Sequence, residues 1–542
     1  MSNVTKRSWN GVSALDWAQR NFAWLLLLAG TVLFLANLGN IYLWQDEAET
    51  ALLSQRLGAY GLPMAFDGRN LIRQAPQDVQ YTGDFVWVYH PWLPFYFTAL
   101  SFALLGATTF AARLPYALAG LASVLLLYHA LAHHFRDRRV SILGASLFLL
   151  CVPFLLHARQ CKYFPFAALF SVATLDAYLR LREDPAPNWA TPYFILSGLA
   201  LFHSNFGAFV PLMGALGLHF VLVRPRWSEV PRMALAVVAM ASFVLPWAAY
   251  LQIWARGRFA FDAYRFVGHV VHYAVYVTGW VFPLPLGVLF LYLLVRGKLK
   301  LQAREASLVA CFVLVVTATI VFLSESFIWM YFSYIVQLVP LLSTLLALTV
   351  LWIADRSRWL GYALVAVLLT SSALHLFPSA FPLVRQFKWA SLASRPYLAE
   401  TDKLIATAGS LRSDVASYAY ELTHDYDGPD EGMVLFLREN ANAGDTVLAN
   451  YGELPIAFYT GLDIAGGLSG YRLERVGQPE WVIDRRDGPY RDEMARILAG
   501  GTYQAVEIPF PDILWGNRPV PEYHKFATVH GVPNVVIYER VD

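Results

Sequence analysis

Long apolar stretches dominate the first 380 residues, separated by short polar loops. A helix that crosses a bilayer core needs roughly 20 consecutive apolar residues, because backbone groups cannot stay unpaired in hydrocarbon. The first such stretch, residues 21–45, carries no charge and follows Lys6, Arg7 and Arg20. It is too long for a signal peptide and has no small-residue cleavage site, so it reads as a retained span entering from the cytoplasm. Further candidate spans lie near residues 111–133, 140–157, 163–181, 192–204, 206–223, 233–255, 272–295, 306–324, 328–354 and 360–377. The expected total is about eleven.

Loop charges set the register of these spans, since cytoplasmic loops are enriched in Lys and Arg. Every second loop is basic: Arg136, Arg138 and Arg139; Arg180 and Arg182; Arg224, Arg226 and Arg232; Arg296, Lys298, Lys300 and Arg304; Arg356 and Arg358. The alternation closes only if the apolar piece at 91–106, which contains Pro91 and Pro94, does not cross and instead forms a re-entrant or interfacial helix. A large loop, 43–109, then faces outward, as does the C-terminal quarter.

From about Pro382 the chain turns to mixed polar sequence with short apolar runs between turn signals. Residues 445–450, 456–459, 504–508 and 535–538 read as strands, and 432–440 and 490–499 as helices. The expected fold class is a polytopic α-helical membrane protein with a C-terminal extracytoplasmic α/β domain. Its parts are a cytoplasmic tail (1–20), a transmembrane domain (21–380) and an outer domain (381–542) whose stretch 393–430 serves as a docking linker.

Composition narrows the function. Hydrophobic residues make up 57% of the chain and charged ones 15%, against about a quarter in soluble proteins, which excludes a soluble enzyme. The 41 basic and 39 acidic residues nearly cancel, leaving no basic surface of the kind that nucleic acid requires. Cys151, Cys161 and Cys311 all fall in or beside apolar stretches and build no disulfide framework.

Charges near a membrane are costly, so those outside the cytoplasmic anchor loops need a reason. The strongest group follows the first span: Asp46, Glu47, Glu49 and Thr50. In a helix starting there, Asp46, Glu49 and Thr50 share one face while Glu47 points elsewhere. A partly desolvated carboxylate at the outer boundary suits a general base toward a hydroxyl. Acids at these positions also stabilise a helix N-terminus, and the residues alone support both readings.

A second group, His157, Arg159, Gln160, Lys162 and Tyr163, sits at an outward turn where two cations do nothing for topology. Arg159 and Lys162 suit a bound phosphate, although both could instead snorkel to lipid headgroups. A third stretch runs from Arg256 and Arg258 through Tyr264, Arg265, His269 and His272; it fits either a lid over a lipid phosphate or an amphipathic helix on anionic lipid. His90 precedes the interfacial helix, Glu325 marks a further outward turn, and Tyr331, Phe332 and Tyr334 read as an interfacial aromatic belt. No Walker loop or dinucleotide fingerprint stands out, and no carboxylate spacing specifies a metal cage.

The order of motifs is informative: Asp46-Glu47 after the first span, His90-Pro91, Ala112-Arg113-Leu114-Pro115 opening the next span, then Ala158-Arg159 to Tyr163. In this order the first half of the chain resembles the GT-C integral-membrane glycosyltransferases. It resembles in particular the bacterial family 39 and family 83 enzymes, relatives of protein O-mannosyltransferases and of lipid A aminoarabinose transferases. The resemblance implies an inverting transferase that takes a sugar from a polyprenyl-phosphate donor at the outer face of the bacterial inner membrane. It implies Asp46 as general base with Glu47 in support, and Arg159, Lys162, His90 and Arg265 on the donor phosphate. Glu49, Tyr163, Tyr264, His269 and Glu325 are candidate substrate contacts, and the acceptor is a glycan, glycolipid or protein. There are two departures. The aminoarabinose transferases carry Lys-Pro-Pro where this chain has His90-Pro91-Trp92, so a permanent cation is replaced by a titratable one. Relatives often have a second acid near the Arg159 turn where this chain has Lys162 and Tyr163, so a divalent metal is not expected. A transporter or flippase for a lipid-linked glycan is the alternative, though such proteins tend to show paired halves and broken helices.

Overall fold

The computed structural model describes residues 21–74, 79–253, 262–326, 331–370, 413–514, 516–520 and 523–541. The N-terminal tail, Arg256, Arg258 and the linker up to residue 412 lie outside them.

Helix α1 (Phe22–Leu35) opens the membrane domain and stops well before the expected end at Gln45. Ala36 is extended and Asn37 takes a left-handed φ of 54°, so the chain leaves the helix and runs irregularly to Trp44. Helix α2 (Gln45–Tyr60) follows at once, with Asp46 and Glu47 in its first turn, where the positive end of the helix favours acids. Gly61, at φ 76°, ends it in a left-handed cap that only glycine adopts cheaply. Although α2 is rich in polar residues, Gln45, Glu47, Glu49, Thr50, Ser54 and Arg56 are all buried. Buried polar groups need partners, and those partners build the site.

Helix α3 (Leu93–Leu105), expected as a non-crossing piece, has 13 residues, too few to span a bilayer core. It leads through Thr108, whose hydroxyl caps the N–H of Ala111, into α4 (Thr109–His134). There follow α5 (Arg138–Leu149), α6 (Val152–Ala158), α7 (Phe164–Leu181), α8 (Ala190–Phe202), α9 (Phe206–Leu222) and α10 (Val230–Leu251). Beyond them run α11 (Ala263–Trp280), α12 (Leu284–Val295), α13 (Ala303–Ser326), a 3-10 turn (Phe332–Leu338), α14 (Val339–Ala354) and α15 (Arg358–Thr370).

Among the described residues five helices are long and apolar enough to cross, or up to seven if each of two bent pairs is one span. The expected count of about eleven therefore does not follow from helix length. Two of the uninterrupted stretches are broken: 140–157 divides into α5 and α6 with a 62° bend, and 272–295 into α11 and α12 with a 104° bend. Prolines at the start of α6 and α12 mark both breaks.

The outer domain begins with α16 (Asp414–Glu421) and α17 (Pro429–Asn440). It then alternates β1 (Thr446–Ala449), α18 (Glu453–Thr460), β2 (Asp463–Gly466), β3 (Trp481–Ile483), α19 (Arg491–Gly500), β4 (Tyr503–Pro511) and β5 (Asn534–Arg540). The sheet order is β2-β1-β3-β5-β4. Strand β1 is parallel to both β2 and β3, while β5 is antiparallel to β3 and β4. Residues 456–459, expected as a strand, lie instead within α18, bounded by Gly452 and Gly461 in left-handed caps. A four-residue apolar run fits either element, and the flanking glycines decide. The apolar faces of α2, α17, α18 and the sheet share one core, so the outer domain is packed onto the first outward loop.

Candidate active site

The acidic start of α2 and the turn between α6 and α7 are far apart in sequence and meet in the fold. Glu47 is fully buried and forms a bidentate pair with Arg113 of α4, both contacts at 2.7 Å. The same carboxylate accepts the N–H of Cys161 at 2.8 Å. Its oxygens are thereby occupied, so Glu47 is a clamp joining α2, α4 and the turn, not the partner of Asp46 that was expected. Glu49 is also buried: Lys162 Nζ lies 2.7 Å from it, Gln74 donates at 2.7 Å, and His90 Nδ1 stands 3.3 Å away.

Asp46 differs from both. Its side chain keeps accessible surface and makes no hydrogen bond or ion pair among the described residues. Lys162 sits beside it, donating to its main-chain oxygen at 3.3 Å. Burial raises the Asp46 pKa, and the nearby charges of Lys162, Arg518 and His90 pull against that rise. For Glu49, burial alone would also raise the value, but Lys162 and His90 overcome it and hold the group down at about 2. The site therefore has one fixed carboxylate, Glu49, and one with a strengthened affinity for a proton, Asp46. Burial would lower the Lys162 pKa, but Glu49 and Asp46 raise it, so Lys162 stays a cation. His90 goes the other way: burial first, then Lys162, lowers its pKa. Its ring packs 5.5 Å from that of Tyr163, centroid to centroid, at the same site.

Arg159 corrects a second expectation. Its guanidinium donates to the carbonyls of Leu33, Phe34, Ala36 and Asn37, the closest at 2.6 Å. These are the orphan acceptors at the C-terminal end of α1, where a cation is favoured. The same side chain lies 5.8 Å from the ring of Tyr418 in α16. Arg159 thus caps a helix rather than facing Asp46. Arg159→Ala is expected to lower stability by about 2–3 kcal/mol through lost charged hydrogen bonds. Thermal unfolding of the purified protein in detergent checks this, and an unchanged midpoint would contradict the capping role.

The remaining candidates form a separate group. Arg265 donates to the main-chain oxygen of Glu325 at 3.4 Å, and His269 Nδ1 lies 3.2 Å from that of Ser324, so α11 is fixed to the end of α13. Tyr264, on the same helix, is 71% exposed.

The outer domain contributes residues that sequence reasoning missed. Tyr459 accepts the Leu43 N–H at 3.0 Å, Asn517 donates to the Tyr42 carbonyl at 2.9 Å, and Gln45 donates to Glu453. Residues Tyr42 to Gln45, which lead into Asp46, are thus held from three directions. Gln160 bridges the same parts: it accepts from Trp44 Nε1 and donates to the Asn517 carbonyl, both at 2.8 Å. Arg518 and Tyr451 lie within electrostatic reach of Asp46. In the sequence they sit in polar surroundings, where a charge costs little and so signals nothing.

Glu453 borders a narrow cleft between α2 and the outer domain, together with Arg56, Asn70, Ser469 and Tyr471. One of its oxygens, Oε2, is buried without a partner. Burial pushes its carboxyl up to about 7. Between the ordinary glutamate range and that value the folded chain holds a proton that the unfolded chain has lost. Stability therefore falls as pH rises through this window and levels off above it. Glu453→Gln, which cannot ionise, is expected to lose less of its melting temperature than the wild type between pH about 5 and about 8. An equal loss in both proteins would contradict this.

One group of metal-ligand type occurs among the described residues: His133, His134 and Glu183, at the opposite end of α4 from Arg113. The Arg304 guanidinium already bonds both His134 and Glu183 there.

Comparison with known proteins fits this geometry. The family model for dolichyl-phosphate-mannose-protein mannosyltransferase matches residues 89–250, the stretch that carries His90, Arg113, Arg159 and Lys162. No curated protein matches the chain in a sequence search. Among solved structures it is similar to ArnT from Cupriavidus metallidurans bound to undecaprenyl phosphate, with TM-score 0.60 and 15% identity over 96% of this chain and 98% of that one. The apo state of the same protein gives TM-score 0.60 and 16% identity over the same shares. The archaeal oligosaccharyltransferase AglB from Archaeoglobus fulgidus gives TM-score 0.48 and 12% identity over 92% of this chain and 75% of that one. From its membrane helices to its C-terminal sheet, this multi-pass membrane protein has the GT-C fold of ArnT.

Proposed function

We propose that the chain is an inverting glycosyltransferase that moves a sugar from a polyprenyl-phosphate donor to a cell-envelope acceptor at the outer face of the bacterial inner membrane. The observation that carries this reading is the division of labour at the start of α2. Three carboxylates converge there; two are buried and engaged, and the third, Asp46, keeps accessible surface beside a retained cation.

The chemistry follows from that arrangement. The acceptor hydroxyl oxygen attacks the anomeric carbon from the side opposite the phosphate, and its proton passes to Asp46. The bond between the anomeric carbon and the phosphate oxygen breaks, and the phosphate keeps the electron pair. The leaving group gains charge as the bond opens, so a cation held nearby lowers the barrier. Lys162 supplies positive potential there, with Glu49 fixing its position. Glu47 and Arg113 keep α2 and the turn in register. Outside the cell no nucleotide sugar is at hand, and a lipid phosphate brings its own leaving group. The ArnT structure that shares this fold was solved with undecaprenyl phosphate bound, which supports a lipid of that class for the donor carrier.

The test is transfer in proteoliposomes holding the full chain, a polyprenyl-phosphate sugar and an envelope lipid extract. The expected result is polyprenyl phosphate released together with a glycosylated lipid or protein. Movement of the intact lipid-linked sugar across the bilayer with no new glycosidic bond would establish a flippase instead.

A further inference from the structure

Of the four side chains expected to meet the donor phosphate, two carry a fixed charge within the turn, and both are committed elsewhere. Arg159 is spent on the carbonyls that end α1, and Lys162 is bound to Glu49. His90 is a weak carrier of charge, because burial and Lys162 lower its pKa. Arg265 belongs to the contact between α11 and the end of α13. Lys162 supplies positive potential but shares it with Glu49, so a departing phosphate gains from a further cation near Asp46, and the outer domain presents one.

We propose that Arg518, carried by the outer domain, holds the phosphate of the lipid donor beside Asp46, so that the active site is assembled from both domains. The assignment rests on the proposed reaction and names the cation that reaction requires. Arg518 is half-buried, and its guanidinium lies 4.0 Å from the centre of the Tyr331 ring, with Tyr523 at 5.4 Å. The guanidinium is also hydrogen-bonded to Tyr331, which together with the ring contacts holds it in place, and its remaining N–H groups suit phosphate oxygens. Asp46 and Tyr451 are the neighbours whose charges it feels most after Tyr331.

The loop that carries Arg518 is built to hold it there. Asn517, the preceding residue, is pinned on both sides: its side chain donates to Tyr42, and its carbonyl accepts from Gln160. The Arg518 carbonyl lies 3.1 Å from His524 Nδ1, and the other ring nitrogen of His524 is 2.5 Å from Glu421 of α16. Gly516 packs so closely that a Cβ would come within 2.5 Å of Tyr426 and Ile513. These contacts tie the loop at once to the segment that leads into Asp46 and to the turn that contains Lys162.

The experiment measures binding of undecaprenyl phosphate to the full chain in nanodiscs, with undecaprenol as the uncharged control, for wild type, Arg518→Ala, Arg518→Lys and Asp46→Asn. Arg518→Ala is expected to weaken undecaprenyl phosphate by about 10-fold or more while undecaprenol binds as before. Arg518→Lys keeps the charge but loses the fork, and is expected to fall between the two; should the alanine variant fail to fold, it carries the test alone. Undecaprenyl phosphate bound equally by wild type and both variants would overturn the assignment. So would a parallel loss of undecaprenol, which would mark Arg518 as a structural residue. A wild-type protein that ignores undecaprenyl phosphate would overturn the donor class and this assignment together. Loss on Arg518→Ala alongside full turnover by Asp46→Asn would keep the phosphate site and discard only the base.

Discussion

Asp46→Asn is expected to slow sugar transfer by about 10²–10⁴-fold, the usual worth of a positioned general base. The amide keeps the shape of the carboxylate and takes no proton, so the loss falls on turnover while undecaprenyl phosphate remains bound. Burial gives the wild-type carboxyl a raised pKa, and the rate should follow its ionised form. The acid limb of the pH–rate profile is therefore expected above the ordinary aspartate range, with activity lost as pH falls through it. Steady-state transfer by wild type and variant across pH measures both effects. A variant with wild-type turnover would remove Asp46 as base, and an acid limb at the ordinary aspartate value would remove the effect of burial.

Glu47→Ala is expected to be the most damaging change to the fold. It leaves the Arg113 guanidinium, 5% exposed, without its counter-ion and strips the Cys161 N–H of its acceptor. Breaking a buried pair on one side costs about 3–5 kcal/mol, comparable to a large part of a domain's net stability. Replacing both partners with apolar residues of similar size should cost less than replacing either one, because no charge is then stranded. Thermal unfolding in detergent of the two single variants and a Glu47→Leu, Arg113→Met double variant separates these cases. Remaining transfer activity should track the folded fraction for Glu47→Ala, whereas Asp46→Asn should fold fully and transfer little. A Glu47→Ala protein that melts with the wild type would show that the pair is not a clamp.

These two residues show what could be read from the sequence. Adjacent acids after an apolar span announce that something must neutralise them, and the helical period separates Asp46 from Glu47. Spacing cannot say which of the two faces a cavity; that depends on Arg113, which reads simply as an anchor at the start of α4. Arg159 is a sharper case. The membrane cost of a cation correctly demands a partner, but an anion and the carbonyl end of a helix meet that demand equally well. The choice depends on where α1 stops, and an uninterrupted apolar run conceals the stop at Leu35. Span lengths mislead for a related reason, since proline breaks at α6 and α12 leave hydropathy almost untouched. The small sheet was partly legible: the runs in β1, β4 and β5 stand out, while β2 and β3, of four and three residues, are too short to carry a period. The contribution of the outer domain to the site is invisible in one sequence, because Tyr451, Glu453 and Arg518 gain significance only from their placement against α2.

The most direct measurement is mass spectrometry of envelope glycolipids and glycoproteins from cells carrying the wild-type chain, the Asp46→Asn variant or neither. The account predicts one sugar-sized mass difference present with the wild type and missing in the other two, with the unmodified acceptor accumulating. Identical glycans in all three, or full modification restored by Asp46→Asn, would contradict it.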